Sequence, residues 1–237
     1  MRRHLSIALL VALSSLVAAG VAVASTEVGG SGPDKLVGTD GPDQLYGEDG
    51  ADTLLALGGD DYVEGGPGAD SMRGGSGVDL LIAGTGVDRV EGEGGRDSVY
   101  AGHGNDYVSG GSANDTILGQ AGDDRVIGGT HDDRLWGGAG ADRVLGGDGG
   151  DYLAASAQSI VAGGGGTDRI YLHDEGGSAL RLSDPTGYEV QAGNAADVVD
   201  ARDGERSDVD CGAGVDRLLG DPGDRAVRCE SRSERPR

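Results

Sequence analysis

The sequence predicts an all-β fold, a parallel β-solenoid, from three regularities. Aspartate recurs at every ninth position over fourteen consecutive units, an apolar residue follows each aspartate by two positions, and glycine precedes twelve of them by two positions. A fixed period is typical of a solenoid, because stacked turns must repeat their strands and bends in register. This register argues against disorder, which 49 glycines and 3% aromatic content would otherwise suggest.

Each unit divides into a glycine-rich bend of six residues and a strand of three. The apolar side chain of the strand points opposite to its two neighbours. Two units make one turn, so that successive turns form two short parallel sheets, with strands about 4.8 Å apart, around a thin apolar core. Glycine lets the bend use positive φ. Ala113 and His131 introduce a strained Cβ at this position, and Leu57 also interrupts a bend.

The aspartates of alternate units are predicted to stack in two columns. Carboxylates about 5 Å apart repel each other by about 1 kcal/mol in water and about 3 kcal/mol at an effective dielectric of 20. A divalent cation between stacked bends converts repulsion into ligation by hard oxygens, which suits calcium better than magnesium or zinc. The first column contains Asp34, Asp52, Asp70, Asp88, Asp106, Asp124 and Asp142, and the second contains Asp43, Asp61, Asp79, Asp97, Asp115, Asp133 and Asp151.

The unit G-G-x-G-x-D-x-U-x between Gly29 and Ala154 closely resembles the repeat of RTX calcium-binding proteins. The resemblance implies a right-handed parallel β-roll with Ca²⁺ held between bends that are eighteen residues apart, in at most twelve gaps of the regular repeats. The gaps beside Ala113 and His131 are expected to be weak or empty. A later unit, Gly163 to Tyr171, places Asp168 at the ligand position.

The N-terminal region 1–24 is predicted to be a signal peptide. It has a basic start, an apolar stretch and a small-x-small pattern that ends at Ala24, so that cleavage is expected after Ala24 and the mature chain is expected to be secreted. A retained membrane anchor is the alternative, which the short apolar stretch disfavours. No later segment is apolar enough to predict insertion into a membrane.

The remaining chain is predicted to contain a regular roll (25–154), an irregular continuation (155–195) and a C-terminal cap (196–237) with a frayed tail. The cap resembles a C-terminal segment of exported actinobacterial calcium-binding repeat proteins. Its two cysteines, Cys211 and Cys229, are expected to form a disulfide, as is usual in exported proteins.

The net charge and the motifs of the chain narrow the range of possible functions. The net charge is −22, which predicts a cationic partner and repulsion from nucleic acid and anionic membranes. Three histidines, His103, His131 and His173, follow no catalytic or zinc-binding spacing, and Lys35 does not precede Ser or Thr as a P-loop requires. The chain is therefore predicted not to be an enzyme.

Three functions are compatible with these features. The first is a monomeric secreted protein whose roll folds on extracellular Ca²⁺. The second is a surface adhesion or structural protein that contacts a cell surface, glycan or protein partner through an outward stripe, although the same stripe is also explained by cover from the C-terminal segment or by strand propensity. The third is an accessory module of a separate secreted hydrolase. The stripe contains Ile82, Tyr100, Leu118 and Trp136.

Overall fold

The computed structural model describes residues 24–156, 159–166 and 168–173, followed by the short ranges 190–191, 198–201, 208–210, 217–220, 225–227 and 231–234. Strands are the only regular elements in these ranges. The predicted signal peptide, except Ala24, and the predicted Cys211–Cys229 disulfide lie outside the described residues. The strands are β1 (Thr26–Val28), β2 (Lys35–Val37), β3 (Gln44–Tyr46), β4 (Thr53–Gly58), β5 (Tyr62–Pro67), β6 (Ser71–Ser76), β7 (Leu80–Thr85), β8 (Arg89–Gly94), β9 (Ser98–His103), β10 (Tyr107–Ser112), β11 (Thr116–Ala121), β12 (Arg125–Thr130), β13 (Arg134–Ala139), β14 (Arg143–Asp148), β15 (Tyr152–Ser156), β16 (Ile160–Gly165), β17 (Arg169–His173), β18 (Val190–Gln191), β19 (Val198–Ala201), β20 (Asp208–Asp210), β21 (Arg217–Gly220), β22 (Arg225–Val227) and β23 (Ser231–Glu234).

The strands form two parallel sheets, as the sequence predicts. Odd-numbered strands make one sheet in chain order, and even-numbered strands make the other. Leu81 of β7 pairs with Val99 of β9, and Val90 of β8 pairs with Val108 of β10. Each turn therefore contains two nine-residue units, and the prediction of an all-β parallel solenoid is confirmed.

The core lies between the two sheets and contains the apolar residue of every unit. Leu45, Leu81 and Val99 are examples, each with no exposed surface. Alanines at the first position of a unit, Ala56 and Ala83, are also fully buried, because their side chains point to the same face as the apolar residue two positions earlier. The core is thus a ladder with one large apolar side chain from each unit, to which some strands add an alanine.

Strands β4 to β14 are six residues long, twice the predicted length. Pairing continues past the apolar residue into the bend, where Gly84 pairs with Gly102 and Thr85 with His103. The first half of each bend therefore belongs to the sheet. Only the three residues up to the aspartate form the turn between the two sheets.

Beyond Leu153, the described strands continue the same two sheets. Strand β16 pairs with β14, and β17 pairs with β15. Strands β18 to β23 follow in the same alternating order, and β23, within the segment predicted to be a frayed tail, pairs with β21. Within the described residues, no helix is long and apolar enough to span a membrane.

Candidate metal centre

The aspartates stack in the two predicted columns, connected by a ladder of hydrogen bonds. The backbone N–H of Asp79 donates to Oδ1 of Asp97 at 2.9 Å, and that of Asp88 donates to Oδ1 of Asp106 at 2.8 Å. The same bond joins aspartates from Asp34 to Asp168 at distances of 2.7–3.0 Å. Each carboxylate is thereby fixed against the bend of the preceding turn.

The second carboxylate oxygen, Oδ2, is buried in most units without a hydrogen-bond donor among the described residues. A buried carboxylate oxygen without a donor or a cation is costly, because desolvation is not compensated. The repetition of this atom along both columns indicates that its partner is a ligand. The residues with this oxygen are Asp52, Asp61, Asp70, Asp79, Asp88, Asp97, Asp106, Asp115, Asp124, Asp133 and Asp151.

Glycine at the first position of most units leaves space beside this oxygen. A Cβ on Gly92 would overlap both Oδ2 of Asp97 and the carbonyl oxygen of Gly110 in the next turn. A carboxylate oxygen and a backbone carbonyl from two stacked bends therefore converge on one small space. Oxygen atoms that converge in this way resemble the ligand set of a cation site.

Burial makes these carboxylates difficult to ionise. Desolvation raises the pKa of Asp97 and of Asp124 to about 7, and that of Asp133 to about 8, from an ordinary value of 3.8. The neighbouring carboxylates of Asp115 and Asp151 raise the pKa of Asp133 further. In the folded columns without metal, ionisation of these carboxylates is therefore unfavourable, and bound protons or cations reduce the cost.

The donor set suits calcium. Among the described residues, no group of three or more His, Cys, Asp and Glu side chains is arranged to hold a metal. The space beside Gly92 instead brings together a carboxylate oxygen of Asp97 and the backbone carbonyl of Gly110, and both are hard oxygens of the kind that Ca²⁺ accepts in irregular geometry. Zinc, which prefers nitrogen and sulfur ligands, does not fit these gaps.

The ends of the columns differ from this pattern. Oδ2 of Asp34 accepts the N–H of Gly30 at 2.6 Å, and Oδ2 of Asp43 accepts the Thr39 hydroxyl at 3.1 Å. At the other end, the Ser159 hydroxyl lies 3.3 Å from Oδ2 of Asp142. Asp34 is also partly exposed, whereas the other aspartates of the fourteen units are buried.

The bends at Ala113 and His131 adopt the positive φ that glycine favours. Their φ angles are 82° and 84°, respectively. The imidazole of His131 turns back onto the neighbouring bend, where its Nδ1 lies 3.3 Å from the backbone nitrogen of Ala113 and 2.8 Å from the carbonyl oxygen of Thr130. Reduced calcium binding beside these residues stays a prediction.

Sequence reasoning missed Ser159 because one unit, residues 155–162, has only eight residues. Ser159 takes the place of an aspartate in the column, where its hydroxyl accepts the N–H of Asp142 at 3.0 Å. Its signal in the sequence is its position two residues before the buried Val161. A search that allowed one deletion would have found it.

A second acidic ladder was also missed. Oδ1 of Asp60 accepts the N–H of Val78 at 2.9 Å, Oδ1 of Asp123 accepts the N–H of Ala141 at 2.9 Å, and Oδ1 of Asp132 accepts that of Gly150 at 2.8 Å. These residues directly precede the column aspartates. They hold successive bends together from the outside and add negative charge beside the columns.

Stacked bends with paired carboxylates define a calcium-binding solenoid. Residues 28–63, 49–81, 82–117 and 118–153 match the RTX calcium-binding nonapeptide repeat. These matches cover more than half of the 237 residues, and the chain belongs to this family of calcium-binding repeat proteins. No match was found among curated proteins.

The predicted stripe lies on the outer face of the odd-numbered sheet. Register places Ile82 beside Tyr100, Tyr100 beside Leu118, and Leu118 beside Trp136. All four side chains are half-buried. A groove of about 500 Å³ opens beside Leu118 and Trp136, and Gly138 is part of its lining.

Proposed function

We propose that this chain is a secreted, non-enzymatic and monomeric calcium-binding protein, whose β-roll folds when it binds extracellular Ca²⁺. The supporting observation is the repeated Oδ2 atom, which is buried without a donor in both columns. The N-terminal leader is cleaved after Ala24, so that the mature chain begins at Ser25. Up to twelve ions occupy the gaps of the regular units, each between aspartates eighteen residues apart.

Coupling between folding and calcium follows from the state of the columns without metal. At neutral pH a folded, metal-free chain holds desolvated carboxylates whose raised pKa values, about 6 for Asp79 and about 7 for Asp97, oppose ionisation. The unfolded chain leaves the same groups in water. Ca²⁺ binds only the folded arrangement, and therefore shifts the equilibrium towards the roll.

A calcium titration of residues 25–237, followed by circular dichroism, tests the proposal. The β signal is expected to rise cooperatively at about 0.1–1 mM Ca²⁺, the range of extracellular modules. Magnesium serves as the control and is expected to have little effect, because it retains its waters. A fully folded metal-free chain that does not respond to calcium at neutral pH would contradict the proposal.

The groove at Trp136 favours a second function, adhesion to a glycan or protein. An apolar groove with polar Thr116 and Gln120 in its lining presents both contact area and hydrogen-bond groups. The double change Trp136→Ser and Tyr100→Ser is expected to abolish binding to cells or glycans, while the calcium titration is unchanged. Equal binding by the original and changed chains would exclude this use of the stripe.

A further inference from the structure

The residue directly before the first strand, Ser25, occupies an aspartate position. β1 pairs with β3 so that Thr26 lies beside Gln44 and Glu27 beside Leu45. Ser25 therefore stands one turn before Asp43, where the column would otherwise have a carboxylate. Its backbone nitrogen donates to Oδ1 of Asp43 at 2.5 Å, which is the same bond that each later aspartate makes.

Asp43 is buried, with 2% of its surface exposed. Its Oδ2 accepts the backbone N–H of Thr39 at 2.5 Å and the Thr39 hydroxyl at 3.1 Å. Both of its oxygens therefore have protein donors, whereas Oδ2 of Asp61 in the next turn has no donor among the described residues. The gap between Ser25 and Asp43 contains one carboxylate instead of two.

We propose that Asp43 is a binding site for the α-ammonium group of the mature chain, which takes the place of a calcium ion at this end of the column. The inference rests on the proposed function, since it requires cleavage after Ala24. Hydrolysis by a leader protease adds one water across the Ala24–Ser25 bond. Ala24 leaves with a carboxylate, and the nitrogen of Ser25 becomes an ammonium group.

The position of the nitrogen makes this change effective. In the uncleaved chain, Asp43 receives a neutral amide N–H. After cleavage, the same atom carries a positive charge and three donors, and charge-assisted hydrogen bonds are about twice as strong as neutral ones. Low exposure of Asp43 limits screening by solvent and salt. Cleavage thus stabilises the first turn, and only in the exported protein.

The test compares three purified forms in saturating calcium. One begins at Ser25 and one begins at Ala24, and both are released in vitro from a fusion by a sequence-specific protease. The third is the Ser25 form whose α-nitrogen is acetylated after release. The free Ser25 form is expected to have a Tm about 2–4 °C above both others. This is the shift expected for one charge-assisted hydrogen bond in a chain of this size.

Two aspartate variants identify the partner of the ammonium group. Asp43→Asn is expected to remove the Tm difference between the free and acetylated forms. Asp34→Asn, at the start of the other column, is the matched control and is expected to leave that difference intact, because Asp34 bonds to Gly30 and not to Ser25. Equal Tm values for all forms, or a difference that persists in Asp43→Asn, would overturn the proposal.

Calcium in the same gap is the competing explanation, because the buried Oγ of Ser25 has no partner among the described residues. Ser25→Ala removes this oxygen and keeps the ammonium group. The variant is expected to bind as many calcium ions as the original, by calorimetric titration, and to keep the Tm difference. Loss of one ion would overturn the proposal. A failed calcium titration of residues 25–237, in contrast, would count against the proposed function.

Discussion

The middle and the ends of the aspartate columns satisfy their carboxylates in different ways. In the middle, Oδ2 of residues such as Asp79 and Asp97 has no donor among the described residues. At the ends, Asp34, Asp43 and Asp142 receive N–H or hydroxyl groups of the protein itself. The chain thus leaves ligand positions open where two carboxylates face each other, and closes them where a column ends.

This difference explains how an aspartate column ends without an unpaired carboxylate oxygen. A column of ions requires an aspartate on both sides of each gap. Ser25 lies one turn before Asp43, and Ser159 lies one turn after Asp142. Because both serines are neutral, the gap that each shares with its aspartate contains one carboxylate and needs no cation. Glu27, which lies beside the core residue Leu45, also places a charge at the N-terminal end of the core, where charged residues prevent association of open edges.

The largest expected effect comes from pH in the metal-free chain, because many middle aspartates titrate together. Burial raises the pKa of Asp97 to about 7 and that of Asp133 to about 8, above the value of 3.8 for an unperturbed aspartate. A raised folded pKa means that protonation stabilises the fold, and that this stability is lost as pH rises through these values. The β signal in chelator is therefore expected to increase from pH 8 to pH 4.

Circular dichroism of the chelated chain across this range measures the effect. The calcium-loaded chain is the control and is expected to keep its β signal at pH 7.5. A chelated chain with less β structure at pH 5 than at pH 8 would show that protons and calcium do not share the same carboxylates.

The second effect contrasts one glycine in the middle with one at the end. Gly104 has φ of +131°, and a Cβ would overlap the carbonyl oxygen of Gly86 in the preceding turn. Gly104→Ala is expected to lower the free energy of unfolding by about 3–5 kcal/mol. Gly32→Ala, at the same position of the first unit, meets nothing within 4 Å and is expected to cost less than about 0.5 kcal/mol.

Urea unfolding in saturating calcium measures both glycine variants. Equal losses of stability would mean that the stacked carbonyl is not the cause.

A third comparison tests the carboxylates directly. Asp97→Asn keeps the bond from the N–H of Asp79 to Oδ1 but removes the charge from two gaps, and is expected to lose one or two calcium ions and about 1–3 kcal/mol. Asp34→Asn affects the partly exposed first gap and is expected to lose less. Calcium stoichiometry from calorimetric titration measures the difference, and an equal loss in both variants would contradict the distinction between middle and end.

The smallest expected effect concerns the closed end at Ser159. Ser159→Ala removes the hydrogen bonds of this hydroxyl with Asp142 and is expected to cost about 1 kcal/mol without changing the number of bound calcium ions. Ser109→Ala, on the outer face of β10, is the control, with an expected change below about 0.5 kcal/mol. Loss of a calcium ion from Ser159→Ala would show that this gap is a metal site.

The nine-residue period was sufficient to predict the parallel sheets, the core ladder and the two aspartate columns. When turns of two units stack at a constant period, residues eighteen positions apart must lie beside each other. Leu81 and Val99 are in the core, and Asp79 and Asp97 are neighbours, as the count requires. Residues outside the period were harder to predict. Ser159 was missed because its unit is one residue short.

The sequence by itself determined the repeating architecture and the calcium ligand class, since spacing and residue type are local properties. Only the tertiary structure decided which carboxylate oxygens remain open and which are closed by the protein. That property depends on contacts between residues seventeen or eighteen positions apart, such as Ser159 with Asp142 and Ser25 with Asp43. The sheets tolerate a missing residue in a bend and keep the stack, so that a serine outside the nine-residue count still completes a column.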